Sequence, residues 1–289
     1  MKLLAQTQNY LSMVRFAHTI FAMPFALVGF VLAYSQSPAG FSWRLLVLVV
    51  LCMVFARNAA MGFNRLVDSD IDSKNERTRR REIPQGVISR RSALIFVVVN
   101  ALLFVVTTAF INRLVLLLSP VALAVVLFYS YTKRFTAFCH FVLGLGLGLA
   151  PLGAYLAVCG QFAIEPLLLA LLVLLWTAGF DIIYAFQDEA FDRVQGLHSV
   201  PAAMGRVAAL RLTAGLHLLA AVLVVLIGVG GEHGWPYGVG ALLFVGLLLY
   251  QHLIVSPSDI SRVNLAFGTT NGVASVLFAL GYIFDIVLI

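Results

Sequence analysis

The sequence predicts an all-α integral membrane protein of about nine transmembrane helices, and three observations carry that expectation. Of its 289 residues, 61% are hydrophobic and 11% charged, against roughly 45–50% apolar and about 25% charged in a soluble domain. The mean hydropathy is +0.98. A chain this apolar cannot cover its surface with polar groups, which excludes a soluble globular or disordered protein. Its apolar residues fall in runs near the roughly 20 needed to cross a bilayer core of about 30 Å. The Lys and Arg residues, finally, gather in alternate connections between those runs.

The first run covers 14–34. Lys2 and Arg15 flank it and no cleavage site follows, so it reads as a retained span, not a signal peptide. Runs at 43–66, 92–112, 114–132, 138–158, 164–187, 207–229, 235–254 and 265–288 come next. In lipid every backbone polar group must be paired within its own segment, so these runs are helices. The connections are short, and residues 1–289 read as a single transmembrane domain. Cys52, Cys139 and Cys159 lie in or beside apolar runs without CxxC or metal spacing, as small packing residues do.

The formal charge is +6, from 19 Lys and Arg against 13 Asp and Glu. With the N-terminus inside, loops 73–91, 133–137, 188–206 and 255–264 share one side. They hold Lys74, Arg77, Arg79, Arg80, Arg81, Arg90, Arg91, Lys133, Arg134, Arg193, Arg206 and Arg262; the opposite loops hold only Arg44 and Arg113. The positive-inside rule puts the basic loops in the cytosol of a multi-pass inner-membrane protein. The excess charge therefore orients the chain in a bilayer, and no nucleic-acid partner is expected.

Nine of the 13 acids fall in two short windows. Asn64, Asp68 and Asp72 are spaced i, i+4, i+8; Asp181, Tyr184, Asp188 and Asp192 are spaced i, i+3, i+7, i+11. Each set predicts one face at the cytosolic end of a helix. Asn64, Asp68 and Asp72 recur 120 residues later as Tyr184, Asp188 and Asp192, which hints at two related halves. Like charges at i, i+4 destabilise a helix, and a carboxylate near lipid is costly. Both stripes call for a compensating cation. Hard Asp and Asn oxygens suit Mg²⁺, which commonly takes one or two carboxylates plus phosphate oxygens. Opposed across a cavity, the stripes would let metal ions bridge a diphosphate. The bland alternative is two solvated helix ends.

The basic residues fit a diphosphate. Arg77-Thr-Arg79-Arg80-Arg81 begins five residues after Asp72, and guanidinium forks match phosphate oxygens; the run also reads as an orientation signal or an anionic-lipid contact. Lys133, after Tyr129-Ser-Tyr-Thr, reads as a phosphate contact or a snorkelling end residue. Arg57 lies within the second helix and needs an anionic partner, either Asp181 or a substrate carboxylate. Gly144, Gly146 and Gly148 read as packing. A transporter is the rival class, since intramembrane Asp and Arg often mark ion paths, but here the acids cluster toward one end.

These motifs resemble those of the UbiA superfamily of intramembrane prenyltransferases. Asn64, Asp68 and Asp72 match NxxxDxxxD; Asp181, Tyr184-Ala185, Asp188 and Asp192 match the second aspartate motif; Tyr129, Lys133 and Arg134 match its Tyr-xxx-Lys-Arg element. The resemblance covers nearly the whole chain and implies a helical bundle around a central cavity. It implies Mg²⁺-dependent transfer of a polyprenyl group from its diphosphate to an aromatic acceptor. In that pattern Asp68, Asp72, Asp188 and Asp192 ligate metal, with Asn64 assisting there and in catalysis. Arg77, Arg81 and Lys133 neutralise the diphosphate, Asp181 and Tyr184 face the reacting carbons, and Arg57 with Tyr129 serves substrate. The chain departs from many members in having Arg65 after Asn64 and Glu82 after Arg81. It looks like a bacterial 4-hydroxybenzoate branch, some of whose members serve the futalosine route to menaquinone with a 1,4-dihydroxy-6-naphthoate-type acceptor. Ubiquinone or menaquinone biosynthesis is thus implied, with haem, chlorophyllide and glyceryl-lipid acceptors still open. His18 and His198 are left as acceptor contacts or packing residues.

Overall fold

The computed structural model describes residues 9–14, 20–38 and 40–288; Lys2, Arg15 and His18 lie outside them. Among the described residues there is no strand. Nine principal helices follow in order: α1 (Met23–Ser35), α2 (Trp43–Val67), α3 (Arg90–Ala109), α4 (Arg113–Thr132), α5 (Cys139–Cys159), α6 (Ile164–Tyr184), α7 (Val200–Gly230), α8 (Trp235–Ile254) and α9 (Asn271–Leu288). Eight are long and apolar enough to cross a membrane, counting Leu265–Leu288 as one span; α1 has 13 residues. All nine expected segments are therefore helical where described, the first over Met23–Ser35, with 15–19 of its expected run 14–34 outside the described residues.

Local chemistry sets the boundaries. Ser89 caps α3, its Oγ accepting from the Ser92 amide at 3.1 Å. Gly160 closes α5 in the left-handed region at φ 63°, which a side chain would resist. Ser199 caps α7, and Pro201 sits in its first turn, where a missing N–H costs nothing. Gly205, at φ 78° and ψ 163°, breaks α7 near its start. The regular helix resumes beyond it, close to the expected start at 207.

The chain divides into two compact units, Met1–Thr19 with Leu46–Tyr131, and Ile20–Leu45 with Thr132–Ile289. In the first, Met13, Val14, Ile83, Ile88 and Ala93 form a buried core with Met61, Leu66 and Phe96 around it. Asn58 of α2 donates to Asn100 of α3 at 3.1 Å, and Asn100 in turn donates to Phe96 O at 2.8 Å. This pairing satisfies two amides inside an apolar helix pair.

The second unit packs α5 on α6, α6 on α7, α1 on α5 and α8 on α9. Its core holds Phe25, Trp176, Phe180, Phe244, Phe278 and Tyr282, all nearly or fully buried. Glycines let the helices approach. A Cβ on Gly144 would stand 2.4 Å from Leu174 O, and one on Gly148 2.6 Å from Ala170 O. Packing is thus the role of these two glycines.

A π-helical turn, Leu265–Thr270, leads into α9. Asn271 donates to the Ala266 and Phe267 carbonyls at 2.8 and 3.1 Å and accepts from Trp176 Nε1 and Gln251 Nε2, both at 2.8 Å. A buried polar cluster is stable in lipid only when satisfied in this way.

Candidate active site

In the first unit α2 ends at Val67, and the stripe does not run on as one unbroken helix. Asp68 has φ −86° and ψ 3° and starts a separate turn, Ser69–Asp72. The ladder nonetheless carries through: Asp68 N donates to Asn64 O at 2.9 Å and Asp72 N to Asp68 O at 2.7 Å. Asn64 Nδ2 donates to Asp68 Oδ2 at 2.8 Å. Asp72 is buried, and Arg81 Nη1 reaches both its oxygens at 2.7 Å. A charge-assisted pair of this kind offsets much of the cost of burying the carboxylate. Arg77 is exposed. Together with Ser12, Arg65, Arg80, Arg81 and Glu82 it lines a cavity of about 210 Å³. Four guanidinium groups against one carboxylate make that cavity attractive to anions. Arg57, half-buried in α2, donates to Val14 O at 3.4 Å.

The second stripe breaks in the same way. Helix α6 ends at Tyr184, a 3-10 turn covers Ala185–Gln187, and a short helix runs over Glu189–Val194. Asp188, at φ −106° and ψ 0°, occupies the same bridge region as Asp68, 120 residues earlier, and Asp192 N donates to Asp188 O at 2.7 Å. Active-site residues often adopt this sparsely allowed conformation. Each stripe is thus a helix end restarted at an aspartate, Asp68 in the first and Asp188 in the second.

Asp188 is buried and Asp192 fully so. Lys133 Nζ lies 2.7 Å from Asp192 Oδ1, and Ser199 Oγ donates to Oδ2 at 2.8 Å. Burial works against charge on Lys133, but the Asp192 carboxylate outweighs it and holds the ammonium above its ordinary range. Asp181 Oδ2 is 2.7 Å from His140 Nδ1. Tyr184 stacks on Phe267 of the π turn, ring centroids 4.0 Å apart. Glu189 is taken up by Arg206 at 2.6 Å and Arg193 at 3.0 Å; it braces the loop instead of joining the stripe.

Within the first unit Asn64, Asp68 and Asp72, and within the second Asp188 and Asp192, offer the hard oxygens that Mg²⁺ prefers. Among the described residues no three His, Cys, Asp or Glu groups converge as a ready metal cage. Mg²⁺ needs none, since waters and phosphate oxygens complete its shell. The donor set fits the ion.

Sequence reasoning missed several contributors. His140 stood unremarked in an apolar run. Ser199 also stood unremarked, though the cap signal Ser-Val-Pro was visible. Arg65 is buried and donates Nε to Met13 O at 3.3 Å, tying residues 9–14 to α2. His198 has an exposed side chain; its backbone does the joining, donating to Lys133 O at 2.7 Å and accepting from Cys139 Sγ at 3.6 Å.

The profile of the UbiA prenyltransferase family matches residues 22–279. The chain is 31% identical over 238 residues to a 4-hydroxybenzoate octaprenyltransferase from Aliivibrio salmonicida (strain LFI1238), covering 82% of each chain. It is likewise 31% identical over 253 residues to one from Shewanella oneidensis, covering 87% of each. Among solved structures, the apo form of a UbiA homolog from Aeropyrum pernix K1 superposes with a TM-score of 0.84 at 33% identity, over 93% of this chain and 98% of that one. A UbiA homolog from Archaeoglobus fulgidus bound to GPP and Mg²⁺ shares the fold, with a TM-score of 0.70 at 23% identity over 97% and 100%. An enzyme is thereby favoured over a transporter, and the chain belongs to the UbiA prenyltransferase family.

Proposed function

We propose that the chain transfers a polyprenyl group from its diphosphate to a carboxylated hydroxy-aromatic acceptor of the 4-hydroxybenzoate or 1,4-dihydroxy-6-naphthoate type, in quinone biosynthesis. The observation that carries this reading is a pair of buried aspartates, Asp72 and Asp192, each clamped by a cation, Arg81 or Lys133, at 2.7 Å. Each clamp by itself holds charge of both signs, which suits a diphosphate and its metal. Names of the relatives supply the acceptor class, and the fold neighbour bound to GPP and Mg²⁺ supports the donor and the ion.

Residues 1–289 act as one prenyltransferase domain in this reading. Asn64, Asp68, Asp72, Asp188 and Asp192 hold Mg²⁺, which supplies Lewis-acid stabilisation of the leaving diphosphate. Arg77, Arg81 and Lys133 neutralise the charge that develops as the allylic C–O bond breaks. Asp181 and Tyr184 face the reacting carbons, and Arg57 with Tyr129 holds the acceptor, the guanidinium against its carboxylate. The basic loops put the N-terminus and this site on the cytosolic side of the inner membrane.

Membranes carrying Asp68→Ala or Asp188→Ala, supplied with polyprenyl diphosphate, Mg²⁺ and acceptor, are expected to lose transfer by at least about 10²-fold. Undiminished transfer sinks the mechanism. A mass-spectrometric screen with 4-hydroxybenzoate and dihydroxynaphthoates decides the acceptor. Arg57→Ala should raise KM for the acceptor and leave that of the donor alone.

A further inference from the structure

His140 is the second residue of α5, and its side chain is only 3% exposed. A buried imidazole needs partners for both ring nitrogens. Its Nε2 lies 3.3 Å from the backbone amide of Val200, the first residue of α7. An amide N–H can only donate, so Nε2 carries a lone pair and the ring is neutral. The single ring proton then sits on Nδ1, which donates to Asp181 Oδ2 at 2.7 Å. The start of α7 reinforces this assignment. Its first amides have no partner within the helix, and their partial positive charge disfavours an imidazolium beside them.

The consequence falls on Asp181. The hydrogen bond fixes the orientation of its carboxyl group. Asp181 is 22% exposed, unlike its partner, and among the described residues Oδ1 takes no hydrogen bond. One oxygen is therefore anchored and the other left open. Asp181 precedes Asp188 by seven residues and lies inside α6, before the break at Tyr184, which sets it apart from the aspartates at the helix end.

We propose that His140 is the positioning residue for Asp181, holding it as the base that takes the proton from the acceptor ring. This rests on the prenyltransferase reading above. In the step, the C–O bond to diphosphate breaks and its electron pair leaves with the oxygen. A ring π pair forms the new C–C bond. The C–H pair then restores aromaticity, and its proton passes to Asp181 Oδ1 and on to water.

The test uses the full-length enzyme with Mg²⁺, geranyl diphosphate and 4-hydroxybenzoate, unlabelled or deuterated ortho to the hydroxyl. His140→Leu is expected to lower kcat about 10–100-fold, leave the donor KM in place and reveal a primary isotope effect. His140→Gln, whose amide can donate to Asp181 and accept from Val200, should recover most of kcat. Nitrogen-15 spectra of labelled His140 should show the neutral Nδ1–H tautomer. A loss of kcat and donor KM together, without an isotope effect or rescue by Gln, overturns the proposal, and so does an imidazolium. If the wild type prenylates neither hydroxybenzoate nor dihydroxynaphthoate, the acceptor reading fails; the tautomer still decides how Asp181 is held.

Discussion

Arg81 meets both oxygens of Asp72 at 2.7 Å, whereas Lys133 meets only one of Asp192, leaving Ser199 to satisfy the other. Both Arg81 contacts come from the one nitrogen Nη1, which leaves the rest of its planar fork for phosphate oxygens at the cavity it lines, whereas the Lys133 ammonium is a point charge. Arg81→Lys should therefore fail to replace Arg81, and both Arg81→Lys and Arg81→Ala should lower kcat/KM for prenyl diphosphate about 10–100-fold, or roughly 1.4–2.7 kcal/mol. Recovery to near wild-type rates in Arg81→Lys would show that charge alone suffices. The spacing of Asn64, Asp68 and Asp72 was legible in the sequence, as was the nearby run of arginines. Which arginine takes which aspartate was not, because that depends on how loop 73–89 folds back on the end of α2.

The sequence spacing put each stripe on a continuous helix, but each restarts at an aspartate. At Asp68 the periodicity survives because the i to i−4 hydrogen bonds across the break are kept; at Asp188 the bond tightens to i−3, its amide donating to Ala185 O at 3.0 Å, and the i to i−4 ladder resumes at Asp192. Gly144 of α5 gives a sharper case of what sets helix packing. A methyl group there would stand 2.4 Å from Leu174 O, and α6 would have to move. Gly144→Ala should destabilise the protein by about 1–3 kcal/mol, seen as a lower melting temperature in detergent. Gly215→Ala in α7 meets nothing within 4 Å and should leave the midpoint unchanged or raise it slightly. Equal effects at the two positions would refute the contact.

Across the second unit, an ionic clasp joins the ends of three helices at some remove from the aspartate motifs in sequence. His233, in the turn between α7 and α8, lies 2.8 Å from Glu165 of α6 and 2.7 Å from Asp285 of α9. Gln36 and Tyr282 also bond Glu165, and Tyr237 stacks on the imidazole. Burial acts to lower the imidazole, but its hydrogen bonds to the two carboxylates outweigh that and raise it. Below the ordinary imidazole range, near 6.5, the ring is protonated folded or unfolded, and its contribution to stability is complete. That contribution is lost as pH rises through the raised folded value. Melting temperature should accordingly hold in mild acid and fall as pH rises above the ordinary imidazole range, with the fall flattened in His233→Gln. A pH profile identical in the variant would show that the clasp does not titrate as stated. For function, dialysis against a chelator should stop turnover, and Mg²⁺ should restore it; activity that survives chelation would remove the metal from the reading.

Membrane residence, nine helical segments and the two aspartate motifs were determined by the sequence itself, since lipid admits only internally bonded helices and the scarcity of charge makes each cluster stand out. Tertiary structure alone decided that His140 holds Asp181, that Lys133 and Ser199 share Asp192, and that Gly144 and Gly148 seat α5 on α6. Those pairings join residues tens of positions apart. Their hydrogen bonds depend on where one helix starts beside another, which no local pattern of residues encodes.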